Sequence, residues 1–359
     1  MNQRTLYYLS GIFVALVLLY FISKPRFATT NIDEITQSIV IGASLEDVGG
    51  IDIYKEKDDQ KIEMRFVRNE DKWTIPTHFN CKGNKTQVEQ VIKDILEMQG
   101  KVRATGEQLF DQFKIHDHQG IHVLLKDEAD KALANLIIGK KGEDYGTCFV
   151  RFAGKDKIFL ADKNILNSLR IYGEVDTVTT FKNNSFVDLT AVEFEKDDLV
   201  TIGLVQDGKG ITLKKETREA EVEKSESDTT STEPETKTEK YWVITEPKRI
   251  EVDQQEVDKC LNDIRKISGQ KVVDRIGNSL ADLQKNSNYG FNRPRSYIVY
   301  FNEGGERTNA IFGKEYEKDK GYYFQNANDG LVYQVTKYNF DKYFKWIEEL
   351  PKKKQEKKK

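Results

Sequence analysis

The sequence predicts an α+β protein: two tandem repeats of a mainly antiparallel sheet with a packed helix, after one N-terminal transmembrane helix. Three observations carry that expectation. Residues 73–100 recur without a gap at 242–269, every pair offset by 169 positions. Trp73, Val88, Val91, Ile92, Ile95 and Gly100 thereby match Trp242, Val257, Cys260, Leu261, Ile264 and Gly269. A repeat of this length implies one supersecondary unit used twice. On both sides of the repeated helix, apolar residues alternate with polar ones, the period of strands with one buried face. Finally, residues 6–22, LYYLSGIFVALVLLYFI, form an almost unbroken apolar run.

That run of 17 residues is at the short end of what spans a bilayer. Tyr7, Tyr8 and Tyr20 suit its two interfaces. Arg4 precedes it and Lys24 and Arg26 follow, so the flanking charge does not orient it. A cleaved signal peptide is the competing reading, but Arg26 falls where a small residue is wanted before Ala28. The expectation is therefore a single-pass anchor at 6–22 and a stalk at 23–44.

The first repeat is placed at 45–180. Residues 51–53 and 62–66 alternate as strands, separated by a charged turn at 55–60. A turn at 69–71 leads to the strand at Trp73, and Pro76 ends it because proline lacks the ladder donor. The helix that follows starts with a capping box, Asn84 with Gln87 or Thr86 with Glu89; Asp253 with Glu256 does the same in the second copy. Gly100 and Gly269 sit where a left-handed residue would stop a helix. Further on, 121–125 corresponds to 297–301, and 136–140 to 310–314. The stretches 149–152 and 158–160 match 322–325 and 332–335. Asn164 and Asn339 are expected to open closing helices.

The second repeat is placed at 181–350, beginning near 186–189. Asp207-Gly208 between two apolar runs is a hairpin signal. Residues 216–239 interrupt this repeat. They hold nine acids and three bases, a net of −6, and almost no apolar residues, so they cannot offset their own ordering entropy. They are predicted to be a disordered insertion in a hairpin loop. The end, 351–359, is read as a Lys-rich tail.

The overall charge of −3 hides these local extremes, and nothing in the folded parts carries the basic signature of a nucleic-acid-binding domain. Three cysteines are too few for a disulfide scaffold; Cys81 and Cys148 lie in one repeat and could pair in an oxidising compartment, while Cys260 matches a core Val. Residues 203–210, GLVQDGKG, approach a phosphate-binding loop but lack the Ser or Thr after the Lys and the helix that must follow. Gly139, Gly142 and Gly146 lie between strands and read as a hairpin loop. The four histidines are all in the first repeat, and His116, His118 and His122, with Asp117, offer nitrogen and oxygen donors of the kind zinc takes. A turn at 117–120 and a strand from His122 specify little of a tetrahedral site, and the second repeat has no counterpart. Trp73 and Trp242 could stack on a ligand, but their matched place ahead of a core helix favours packing. No catalytic, cofactor-binding or metal residues are assigned, and no cofactor is expected.

The N-terminal anchor, the strand at 61–68, Asp71-Lys72-Trp73-Thr74-Ile75, the helix, the Ile-Gly motif and the Val-Arg-Phe strand at 150–152 together resemble the bacterial family of domain of unknown function 4340. The resemblance covers about residues 45–345. It implies a membrane-anchored protein whose main domain is extracytoplasmic and whose partners are components of a gliding-motility-type ABC transporter. It supplies no catalytic residues. The expected function is that of a membrane-anchored accessory or scaffold protein in an envelope transport or surface-assembly complex. The alternative is an envelope hydrolase or a small-ligand-binding module. A deep polar pocket would favour the alternative, and an exposed apolar patch the partner role.

Overall fold

A computed structural model of the chain describes residues 13, 36–57, 60–221, 236–277, 279, 281–282, 286–326 and 329–356. The first unit runs β1 (Gln37–Ser38), β2 (Gly50–Lys57), β3 (Gln60–Asn69), β4 (Lys72–Ile75), β5 (Cys81–Gly83) and α1 (Lys85–Leu96). It continues with β6 (Gln99–Thr105), α2 (Phe110–Phe113), β7 (Ile121–Lys126), β8 (Ala132–Lys141), β9 (Cys148–Phe152), β10 (Lys157–Ala161) and α3 (Ile165–Ser168). The second unit runs β11 (Thr190–Glu193), β12 (Leu199–Gln206), β13 (Lys209–Glu221), β14 (Thr236–Glu246), β15 (Ile250–Glu251) and α4 (Gln254–Ile264). Then follow β16 (Lys266–Ser268), β17 (Lys271–Arg275), β18 (Ser296–Asn302), β19 (Arg307–Glu317), β20 (Gly321–Asn326), β21 (Leu331–Thr336), α5 (Lys337–Phe344) and α6 (Trp346–Glu356).

The two units have one topology. The first sheet is ordered β1-β6-β10-β9-β8-β7-β2-β3-β4-β5 and the second β17-β21-β20-β19-β18-β12-β13-β14-β15, where β11 and β16 pair apart as a two-stranded sheet. Every pairing in both is antiparallel. The offset of 169 holds in space: Asn84 and Asp253 cap α1 and α4, Asn84 accepting from the Gln87 N–H at 3.2 Å and Asp253 from the Gln255 N–H at 2.9 Å. Val88, Val91, Ile92 and Ile95 are buried on α1; Val257, Cys260, Leu261 and Ile264 are buried on α4. Each such aliphatic side chain stabilises the fold by about 2 kcal/mol over an exposed one. Both helices lie on the inner face of their sheet, and one continuous core joins the two units.

Several boundaries move. Part of the expected stalk at 23–44 belongs to the fold: β1 pairs with β6 at Gly100, as β11 pairs with β16, and Ile39 and Val40 are buried. The expected insertion at 216–239 is shorter than its composition suggests. Residues 216–221 and 236–239 pair rung by rung in β13 and β14, because a hydrogen-bonded ladder tolerates charged side chains on both faces; 222–235 lie outside the described residues. The tail does not begin at 351, since α6 runs on to Glu356. Thr336, rather than Asn339, opens α5, its hydroxyl accepting from the Asn339 N–H at 3.1 Å. Lys55, expected in an exposed turn, is 1% exposed in β2. The predicted anchor at 6–22 lies outside the described residues except for Phe13, and among the described residues no helix is long and apolar enough to cross a membrane.

Gly100 and Gly269 do not end helices in a left-handed conformation. Neither has a positive φ, and α1 and α4 end at Leu96 and Ile264, with Glu97 and Arg265 as their C-caps. Crowding requires glycine there instead. A Cβ on Gly100 would come within 2.7 Å of Ile39, and one on Gly269 within 2.8 Å of Tyr333. Gly139 of Ile138-Gly139 and its counterpart Gly313, which follows Phe312, have the same cause: each lies beneath the backbone of the segment joining two strands, at Phe113 and Tyr289.

Candidate functional site

The histidines do not converge on a metal. His122 is buried in β7, its Nε2 2.7 Å from the Asp117 carbonyl and its ring stacked on Tyr54 at 4.5 Å. His116 stacks on exposed His118 at 5.3 Å and meets Phe110 edge-on. Asp117 pairs with Arg151, whose Nε donates to the Ile115 carbonyl at 2.7 Å. Arg151 is 3% exposed and lies over the Phe110 ring at 4.4 Å. This group therefore holds the 110–122 segment on the sheet. Among the described residues no three His, Cys, Asp or Glu side chains are placed to share a metal ion.

The cysteines are free and buried. Cys81 and Cys148 lie on strands six spacings apart in the first sheet, on the order of 28 Å, far beyond disulfide reach. Burial pushes both thiols up to about 12 and Cys260 well above its usual value, so none is a ready thiolate. Residues 203–210 form the β12–β13 hairpin, with Asp207 and Gly208 both at positive φ, and 142–147 join β8 to β9.

Some polar residues do match between the copies. Arg68 pairs in register with Trp73, and Lys215 with Trp242. Each cation lies over its indole, at 5.0 and 5.4 Å. Each also donates to carbonyls of the loop leading into its unit: Arg68 to Leu45 at 3.2 Å, Lys215 to Asp197 at 2.7 Å. Burial lowers the Lys215 pKa, with Asp197 opposing. Asp94 and Asp263, again 169 apart, tie each core helix to its closing segment. Asp94 accepts from Ser168 at 2.6 Å; Asp263 accepts from the Trp346 indole at 2.9 Å and pairs with Lys342 at 2.9 Å. The sequence offered the 169 offset as a signal for the aspartates, but an acid on an amphipathic helix reads as solvated until its partners are seen.

A polar cluster lies at the seam between the units. Arg275, on the edge strand β17, donates to the carbonyls of Phe79 at 2.7 Å and Asn80 at 3.0 Å. Both acceptor residues have positive φ, which turns their carbonyls to one side. The Val272 N–H donates to Asn184 Oδ1 at 2.9 Å. Behind them the Tyr333 hydroxyl donates to Asp329 at 2.8 Å, and the Leu331 N–H donates to its other oxygen at 2.9 Å. Burial holds the Asp329 carboxyl above the usual range against these donors and nearby Arg275 and Lys82. Burial also pushes the Tyr333 phenol up and the His78 imidazole down. Arg275 thus ties the second unit to the first, and no nucleophile is activated among these groups.

Several surface clefts lie among the described residues. One of about 560 Å³ opens on the outer face of the first sheet around Asp52, Arg65 and Lys126. Two of about 580 and 470 Å³ flank α6 in the second unit. The first two are lined by charges of both signs, and the third is mainly apolar.

Fold and residues together define a duplicated antiparallel α+β protein in which the repeated polar positions serve the frame. The chain matches the family described as Domain of unknown function (DUF4340) at residues 73–241 and again at 242–355, and it belongs to that family. Each matched segment begins at a tryptophan of the repeat, so the family segment is offset from the folded unit: the first enters in β4 and ends in β14, the counterpart of β4 in the second sheet, and the second runs from β14 into α6. No curated protein and no solved structure matches the chain.

Proposed function

We propose that this protein is a membrane-tethered accessory protein whose paired α+β units act outside the cytoplasm as a partner of an ABC-type transport or surface-assembly complex. The observation that carries this reading is the contrast between what the units share and what they do not. Shared positions, such as the Trp–cation pairs and Asp94 with Asp263, hold strands and helices in place. The outer surfaces differ, which suits a protein that works through contacts. The apolar run at 6–22 supplies the tether, and tethering raises the effective concentration of the units near membrane partners. The orientation and the ABC-type partner come from the family resemblance.

Crosslinking in native membranes with the N-terminal segment intact is the test. The expected products contain transporter subunits, and protease added from the outer side should cut within 222–235. Recovery of the whole chain in the soluble fraction, or cutting only after the membrane is opened, would refute the tethered outward arrangement. Replacing His116, His118 and His122 together by Gln should leave folding and partner capture intact. A folded triple variant that lost its cellular activity and a stoichiometric metal would favour the enzyme instead.

A further inference from the structure

The outer face of the second sheet is covered over only part of its width. Phe291 and Tyr289 pack there with Ile311 of β19 and Val332 of β21. Farther along, on β12 and β18, Ile202, Leu204, Ile298 and Tyr300 are fully buried on the inner face. Thr201, Gly203 and Val205 of β12 and Tyr297, Val299 and Phe301 of β18 therefore point outward, and each is half-buried. A solvated face of an antiparallel sheet normally carries polar side chains. Here the six positions hold no Lys, Arg, Asp or Glu, whereas the first sheet has Asp52 and Lys126 in place of Gly203 and Phe301.

Gly203 is a second, independent sign. A glycine inside a strand weakens it and often marks the close approach of another backbone. At every other strand glycine among the described residues, a Cβ would come within 3.3 Å of a neighbour, so the fold itself asks for glycine. At Gly203 it does not: φ is not positive, and a Cβ would meet nothing nearer than Val299 Cβ at 3.9 Å. The small residue leaves room on the outer face alone. That room has a matching ridge beside it, because pairing sets Thr201, Gly203 and Val205 next to Phe301, Val299 and Tyr297. A half-turn about an axis parallel to the strands, between β12 and β18, lays the large row of one copy over the small row of another. Val299 then stands over Gly203 and Phe301 over Thr201, in the manner of two sheets stacked about 10 Å apart.

We infer that this face is a self-association surface, on which a second copy of the chain docks by the same face in an isologous pair. Four strands, β13, β12, β18 and β19, by five rungs give a footprint of roughly 19 by 17 Å. That is at the small end of specific interfaces, so the pair is weak in dilute solution. The half-turn also brings Lys214, paired with Thr201, toward Arg307 of the other copy, paired with Phe301. Salt screens these like charges and so tightens the pair. The inference is independent of the accessory-protein reading.

The test is sedimentation equilibrium of the full chain in detergent over a range of concentrations. A monomer–dimer equilibrium is expected, tightening as salt is raised. Gly203→Val and Val299→Glu should each weaken it about tenfold or more. The valine at 203 has room, so that variant should melt no lower than the parent while losing the dimer. If it melts lower, Val299→Glu gives the same reading from an outward-facing position that leaves the core intact. A photoreactive Phe in place of Phe301 should join β18 to β12 in the dimer-sized product. A chain that stays monomeric throughout, dimerisation that both variants leave unchanged, weakening by salt, or dimer crosslinks from β18 to β18 would each overturn the inference. Crosslinks in native membranes to another protein, with none between copies, would overturn it as well.

Discussion

At one equivalent spot on their outer faces the two sheets carry opposite chemistry. In the first, Asp52 sits between Arg65 and Lys126, each 2.8 Å away. In the second, the same ladder positions hold Gly203, Thr212 and Phe301. The β3–β4 joint is a two-residue turn at Glu70, whereas β13 and β14 run on as a two-stranded arm beyond the pairing of β12. Inside, the correspondence is close: Trp above the helix, aliphatics on its inner face, an acid reaching the closing segment. Burial restricts side chains to those that fill the same volume, while an exposed strand position accepts nearly anything that keeps the ladder. The duplicated frame is thus common property, and any task peculiar to one unit belongs to its surface.

The most demanding test of this comparison is at the tryptophans. Trp73 is 1% exposed and donates to Glu89 at 3.4 Å; Trp242 is 8% exposed. Trp73→Ala should cost about 3–5 kcal/mol in chemical denaturation, and Trp242→Ala should cost less. The reverse order would show that the second core is the tighter of the two.

A smaller effect is expected at the helix acids. Asp263 has an indole and two lysines as partners, Asp94 a serine, a glutamine on its own helix and one lysine. Both sites are partly solvent-screened, so Asp263→Ala should cost about 2 kcal/mol and Asp94→Ala about 1 kcal/mol. Equal losses would mean that the indole hydrogen bond contributes nothing. At the seam, Arg275→Gln removes charge-assisted donation to three carbonyls, those of Phe79, Asn80 and Asp329, and should cost about 1–2 kcal/mol. Faster hydrogen exchange is expected at residues 79–84 and 272–275, and protection unchanged there would show that the seam is held by apolar packing alone.

The smallest effect is a pH dependence. The Asp329 carboxyl titrates above its ordinary value of 3.8 because burial disfavours its charge. In the window between these values the unfolded chain has released a proton that the folded chain still holds. The contribution is fully present below 3.8 and is lost as pH rises through the raised value. The melting temperature of the parent relative to Asp329→Asn should therefore fall as pH is raised from 3.8. A constant difference across that range would place Asp329 in a more solvated setting than the seam provides.

Much of the frame was legible in the sequence because it rests on local periodicity. The 169 offset, the capping residues Asn84 and Asp253 and the Asp207-Gly208 turn each depend on a few neighbouring residues, and each stands where the pattern put it. The glycines illustrate the limit. Gly100 and Gly269 look like helix stops in sequence, yet the reason for them is a strand or side chain brought close from far along the chain. Composition likewise marked 216–239 as unstructured, but pairing across the hairpin decided the ends of that stretch. His116, His118 and His122 are near one another in sequence, and the strand at 121–126 turns His122 toward Tyr54 instead of its neighbours. The seam of Arg275 with Phe79 and Asn80 spans about 195 positions and left no trace that one sequence could show. The sequence by itself determined the repeat, its strands and helices and their buried faces, since these follow from spacing along the chain. Only the tertiary structure decided which polar residues meet, because a hydrogen bond between distant segments depends on where the whole sheet carries them.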